Sequence, residues 1–112
     1  MDTRRKIVAL EQAQALAADQ PVVWIAGHFD PLLAEHARRI QDHRRPGHLL
    51  IAVVTNPAQP YLPQSARAEL VAALEFVDRV AMKPGTTDDP ESDRIAGRFV
   101  ARVLDRHSGA RS

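Results

Sequence analysis

No cysteine occurs anywhere in the chain, which removes disulfides, thiolate metal sites and a cysteine nucleophile and makes the reducing cytoplasm the expected setting. An excess of one charge is lacking too. Fifteen Lys and Arg face fourteen Asp and Glu, a formal net charge of +1, so no whole-molecule field draws the chain to nucleic acid or to an anionic membrane. Any anion recognition has to be local. No apolar run approaches the ~20 residues of a membrane span, and the amino-terminal MDTRRKIVALEQ turns polar again after IVAL, so neither secretion nor membrane insertion is expected. Aromatic residues make up only 4%. They do not interleave with the pairs Arg4-Arg5, Arg38-Arg39 and Arg44-Arg45, which read as solvated helix faces rather than a nucleic-acid platform.

What remains is an ordinary globular composition, 45% apolar and 26% charged over 112 residues, enough for one domain with a single core. From Arg5 to Ala18 the apolar residues Ile7, Val8, Leu10, Ala13, Leu16 and Ala17 recur at helical spacing, and Pro21 ends the pattern. Residues 1–20 are therefore expected to form an amino-terminal helix, residues 21–82 an α/β core, and residues 83–112 a loop and a carboxyl-terminal helix. VVWIAG, Val22 to Gly27, is the short β-branched run of a parallel strand buried on both faces, which places it centrally with Trp24 in the core. Asp30 before Pro31 reads as a helix N-cap with proline at the first helical position, and Leu32, Leu33, His36, Ala37 and Ile40 continue the stripe toward Asp42. HLLIAVVTN, His48 to Asn56, is a second strand.

PAQPYLPQ, with three of the eight prolines, is a loop at the carboxyl end of that strand, the edge where open α/β sheets bind ligands. Ser65 is placed to cap the next helix, whose buried stripe is Leu70, Val71, Leu74 and Val77. RVAM, Arg79 to Met82, makes a third strand and KPGTTDDPES a loop. From Glu91 to Asp105 the pairs Ile95/Ala96, Phe99/Val100 and Val103/Leu104 repeat every four residues as a helical face. The fold class is α/β, a Rossmann-like three-layer sandwich on a parallel sheet, short at its carboxyl-terminal end.

The stretch GHFDPLLAEH, Gly27 to His36, joins a strand, a glycine turn and a helix start. That arrangement presents unpaired backbone N–H groups and the positive end of a helix dipole to an anion. It resembles the signature of the nucleotidyltransferase superfamily that includes cytidylyltransferases and adenylyltransferases, whose usual form is G-x-F-D-x-x-H-x-G-H. Gly27, Phe29, Asp30 and His36 match in register, and Pro31 matches the form seen in phosphopantetheine and nicotinate mononucleotide adenylyltransferases. KIVALEQAQALAADQPVVWIAGHFD, HLLIAVVTN and ARAELVAALEFVDRV look like the adenylyltransferase domain of the bifunctional heptose-phosphate kinase/adenylyltransferase family. The likeness covers roughly residues 6 to 82, and Asp88, Asp89 and Pro90 are a weaker echo beyond it.

The resemblance implies a nucleotide or phosphate site of Gly27, His28, Phe29, Asp30, His36, Asn56 and Arg67, with His36 as the second motif histidine and Arg67 reaching the nucleotide from its helix. It implies no certain cofactor beyond magnesium brought by a nucleotide. In such enzymes the protein supplies positioning and electrostatics and little covalent chemistry. Here Leu33 stands where the first histidine belongs and Glu35 where the glycine belongs. Losing one transition-state donor costs ~2.7 to 4 kcal/mol, and a carboxylate ~4 Å from a phosphate charge adds ~4 kcal/mol of repulsion at an effective dielectric of ~20. The second phosphate-contacting segment of the family, rich in Ser and Thr with a basic residue, has no counterpart; HSGARS near the end shares only its composition.

Plainer readings stand beside these. His36 on its apolar stripe can be a packed, hydrogen-bonded histidine, His28 a substitute for the missing one, and Arg67 an exposed helix residue paired with a surface acid. His36 and His43 share a helix face, but no third residue has metal-ligand spacing. Asp88, Asp89, Glu91 and Asp93 read as acids complementing a helix dipole. Two functions follow: a nucleotidyltransferase-like domain with weak or lost activity that retains nucleotide or phosphate binding, or an active enzyme transferring AMP or CMP to a sugar phosphate or similar acceptor. Expected partners are a nucleotide or phosphorylated small molecule and a second copy or another protein, with no nucleic acid and no membrane.

Overall fold

The computed structural model describes residues 3–87 and Asp89. A 3-10 turn at Thr3–Lys6 leads into β1 (Ile7–Val8), α1 (Leu10–Asp19), β2 (Val22–Gly27), α2 (Ala34–Asp42), β3 (Leu49–Asn56), α3 (Gln64–Ala72) and β4 (Arg79–Thr86). All strand pairs are parallel, and the order across the sheet is β1-β4-β3-β2. The α/β sandwich on a parallel sheet expected from the strand-helix alternation is what the chain forms.

Strand alternation divides the core in two. Ile25, Leu50, Ala52, Val54 and Val80 face one side, where Ile40 of α2 and Ala68, Val71 and Ala72 of α3 pack on them. On the other side Ile51 and Ala81 meet Ala13 of α1, with Val8, Leu10, Leu16, Val22 and Leu49 around them. Successive side chains of a strand point to opposite faces, so the run Leu50 to Thr55 is buried throughout because both faces are covered. Among the described residues no helix is long and apolar enough to cross a membrane.

Several expectations give way to tertiary contacts. Ile7 and Val8 are a strand rather than the first turn of the helix. They pair with Val80 and Ala81, and sheet pairing outweighs a helical period that two β-branched residues support only weakly. Within the described sheet β2 is an edge strand, and Trp24 is 40% exposed instead of core. Among the described residues, its face of β2 joins the α1-side cluster through Val22. β4 runs to Thr86 through residues read as a loop, with Asn56 paired to Thr86 across an irregularity in register. In α3 the buried positions are Arg67, Ala68, Val71 and Ala72 while Leu70 is exposed. Ser65 does not cap α3. That helix starts two residues earlier, at Gln64 with Pro63 as N-cap. The expected helix from Glu91 to Asp105, with Asp88, Pro90 and Asp93, lies outside the described residues.

Candidate functional site

β2 ends on a glycine for a reason local to the turn. A Cβ on Gly27 would lie 2.6 Å from Cζ of Phe29 and 2.8 Å from Nη2 of Arg39, closer than real side chains approach. Phe29 itself takes a left-handed backbone, φ 49°. Its buried ring meets the His36 ring edge-on at 5.7 Å and carries the Arg39 guanidinium 5.8 Å from its centroid. Gly27, Phe29, His36 and Arg39 thus form one packed stack at the carboxyl end of β2.

Asp30 does not cap α2 as its place before Pro31 suggested. The Asp30–Pro31 peptide is cis, the helix begins at Ala34 with Leu33 as N-cap, and the Asp30 carboxylate accepts the N–H groups of Tyr61 (2.6 Å) and Leu62 (2.8 Å). It anchors the proline-rich loop instead. The cap of α2 comes from within: the Leu33 N–H donates to Nδ1 of His36 at 3.0 Å, the role Glu or Gln plays in a capping box. With Nδ1 as acceptor, the neutral ring carries its proton on Nε2. His36 is fully buried.

Arg67 is fully buried as well, against the reading of an exposed, surface-paired arginine. Its Nε donates to Leu62 O (3.0 Å), Nη1 to His28 O (2.9 Å) and Thr55 O (2.6 Å), and Nη2 to Asn56 Oδ1 (2.7 Å). One guanidinium therefore ties the turn after β2, the end of β3 and the loop before α3 into a single wall. Burial pushes its pKa below the ordinary guanidinium range, and the Asp30 carboxylate 3.9 Å away opposes that shift. Asn56 also donates from Nδ2 to Gly85 O at 3.1 Å. Gln64, the first residue of α3, spans the ends of β3 and β4 through Val54 O (3.0 Å) and Lys83 O (2.8 Å).

All seven residues assigned from sequence meet at this edge, yet several spend their polar groups on the chain itself. The His28 ring, only 1% exposed, donates from Nε2 to the carbonyl of Thr87. Its backbone N–H, the group best placed for an anion, donates to Oδ2 of Asp89 at 3.0 Å. Arg39 Nη2 lies 3.9 Å from that same oxygen and donates to Ala26 O at 3.4 Å. Arg39 and Asp89 are the site residues that sequence reasoning missed. Arg39 had a readable signal, since it falls one turn after His36 on the same helix face. Asp89 carried only the weak family echo of Asp88, Asp89 and Pro90, because sequence spacing says nothing about a contact 61 residues away.

The described residues hold no group of three or more His, Cys, Asp or Glu placed to bind a metal ion. A cavity of about 560 Å³ lies at the opposite end of the sheet, lined by Arg44, Arg45 and His48 together with Glu75, Phe76 and Asp78. Its mixed charges favour no ligand of either sign, and it lies at the amino end of β3, away from the edge where parallel sheets bind ligands.

No family model matches the chain. It is 32% identical over 100 residues to bifunctional protein HldE of Halorhodospira halophila, a match covering 81% of this chain and 19% of that protein. Against bifunctional protein HldE of Trichlorobacter lovleyi it is 33% identical over 86 residues, covering 69% of this chain and 17% of the relative. The chain thus spans about a fifth of the length of the curated relatives it matches, and these matches relate it to one stretch of that bifunctional protein.

Proposed function

We propose that the chain is a nucleotidyltransferase-like domain of the cytidylyltransferase-like superfamily, akin to the adenylyltransferase part of a heptose-phosphate kinase/adenylyltransferase. In this reading it binds a nucleotide or phosphorylated small molecule at the carboxyl edge of β2 and β3, in the cytoplasm, with transfer chemistry weakened or lost. The observation that carries the reading is the turn Gly27–His36. It joins a parallel strand to a helix start, holds Asp30 and His36 in motif register, and lies against Asn56 and Arg67. The relation to HldE over most of the chain supports it.

Weak chemistry follows from the residues that stand at two motif positions. Leu33 caps α2 where a histidine donor would stand, and Glu35 sits in the first turn, where its negative charge already complements the helix dipole. A magnesium ion would arrive on the nucleotide's phosphates, because Asp30 and Asp89 are engaged with backbone N–H groups.

Isothermal titration with ATP and CTP, together with pyrophosphate release in the presence of a sugar phosphate, tests this. Weak binding with near-background release is expected. Turnover on the order of 1 to 1,000 per second would replace this reading with that of an active enzyme. Absence of binding to any nucleotide would favour an assembly module, for which Trp24, 40% exposed on the edge strand of the described sheet, is the supporting observation.

A further inference from the structure

The loop after β4 supplies something that neither the motif nor the relatives' name describes: a carboxylate seated in the cradle. We propose that Asp89 is an internal anion that closes the nucleotide edge, and that an incoming phosphate group must displace it from the His28 N–H and the Arg39 guanidinium. This rests on the reading of that edge as a phosphate site, and deepens it by naming how access is controlled.

The geometry is specific. A single oxygen, Oδ2 of Asp89, accepts the His28 N–H at 3.0 Å and lies 3.9 Å from Arg39 Nη2. The His28 N–H it accepts stands one residue beyond Gly27, where the end of a parallel strand and the following turn offer N–H groups to an anion. Its delivery is built in. Two residues earlier, Thr87 donates its N–H to Asn56 O at 2.9 Å and accepts the His28 ring through its carbonyl, so Thr87 is tied both to the end of β3 and to the turn that carries the His28 N–H.

The cation is held independently of its carboxylate. Arg39 rests on the Phe29 ring and donates to Ala26 O, contacts that do not involve Asp89. The anion position is therefore preorganised, and an occupant of one negative charge competes with ligands of two or more. Asp89 and Arg39 keep 14% and 15% of their side-chain surface exposed, so the pair is open enough to be exchanged from solution. An occupancy of 90 to 99% by the carboxylate would lower apparent anion affinity by roughly 10 to 100-fold, since only the open fraction binds.

Inorganic pyrophosphate is the probe, titrated calorimetrically into the full chain. Asp89→Asn keeps an acceptor and the shape while removing the charge, and is expected to tighten pyrophosphate binding at least ~10-fold. Asp19→Asn, an equal charge change at the far end of α1, should change it less than ~2-fold, as expected of a screened remote charge. Adding Arg39→Gln to Asp89→Asn should abolish the gain. An equal gain from Asp19→Asn, or no gain from Asp89→Asn, overturns the proposal.

ATP run alongside separates the two levels. ATP binding that is measurable and equal in the parent and Asp89→Asn leaves the nucleotide reading standing and sinks the gate. Enhanced pyrophosphate binding without ATP binding does the reverse. If Asp89→Asn does not fold, the His28 amide resonance of the unaltered chain is followed instead. A saturable shift with pyrophosphate supports displacement of Asp89, and a His28 amide that stays fixed overturns it.

Discussion

Arg67 illustrates how one residue can look like a ligand and act as a frame. Its guanidinium satisfies carbonyls of His28, Thr55 and Leu62 and the Asn56 side chain, and each acceptor left unpaired in a buried position costs ~1 to 3 kcal/mol. Lysine cannot reproduce this planar fork. Arg67→Lys is therefore expected to lose at least ~2 kcal/mol of stability, measured as a lowered urea midpoint, and to loosen the proline-rich loop. A midpoint within error of the parent would show that the loops re-pair without the fork. Gly27 makes a second residue-scale case. Because its Cβ would collide with the Phe29 ring and Arg39, Gly27→Ala should destabilise by ~1 to 3 kcal/mol as overpacking, whether or not any ligand is present. Gly27→Ala made together with Phe29→Leu should recover part of that loss.

At the scale of elements, β1 shows what a two-residue strand contributes. Ile7 packs against the α2–α3 side and Val8 against the α1 side, while Lys6 Nζ donates to Leu74 O at 3.0 Å. Partial burial of two aliphatic side chains is worth ~2 kcal/mol, so removing residues 1–8 should lower the unfolding free energy by about that amount, read as a lower denaturant midpoint at a nearly unchanged slope. A midpoint unaffected by the deletion would show that the β1–β4 pairing adds nothing. This element also marks where sequence stops being legible. β3 was readable because an uninterrupted apolar run flanked by Gly47 and Pro57 has few other homes, and α2 because its stripe survives to Asp42. Ile7 and Val8 were not, since their spacing also fits the helix that follows. The site divides the same way. A local motif revealed the turn, but the partners of Asp30 are 31 and 32 residues away and that of the His28 N–H is 61 away. A carboxylate beside a proline looks identical whether it caps its own helix or holds a distant loop.

On the scale of the whole molecule, a net charge of +1 hides a local balance that decides anion affinity. The carboxyl edge gathers Asp30, Glu35 and Asp89 against Arg39 and Arg67, and both cations already face carboxylates. Reverting the motif with Leu33→His and Glu35→Gly removes one of these charges, restores close backbone approach and returns a donor at the turn. Glycine inside the first turn costs ~1 kcal/mol of helix stability, less than the ~4 kcal/mol of repulsion a nearby carboxylate can impose on a phosphate at an effective dielectric of ~20. Nucleotide affinity is therefore expected to rise at least ~10-fold, which requires only ~1.4 kcal/mol. Turnover should stay near background, because transition-state binding needs contacts that a repaired ground-state cradle does not supply. Calorimetry with ATP and a pyrophosphate-release assay on the same folded variant read the two quantities separately. Unchanged affinity would mean that Glu35 and the missing histidine are not what limits anion binding at this edge. Recovered turnover would mean that Leu33 and Glu35 alone had silenced an otherwise complete enzyme.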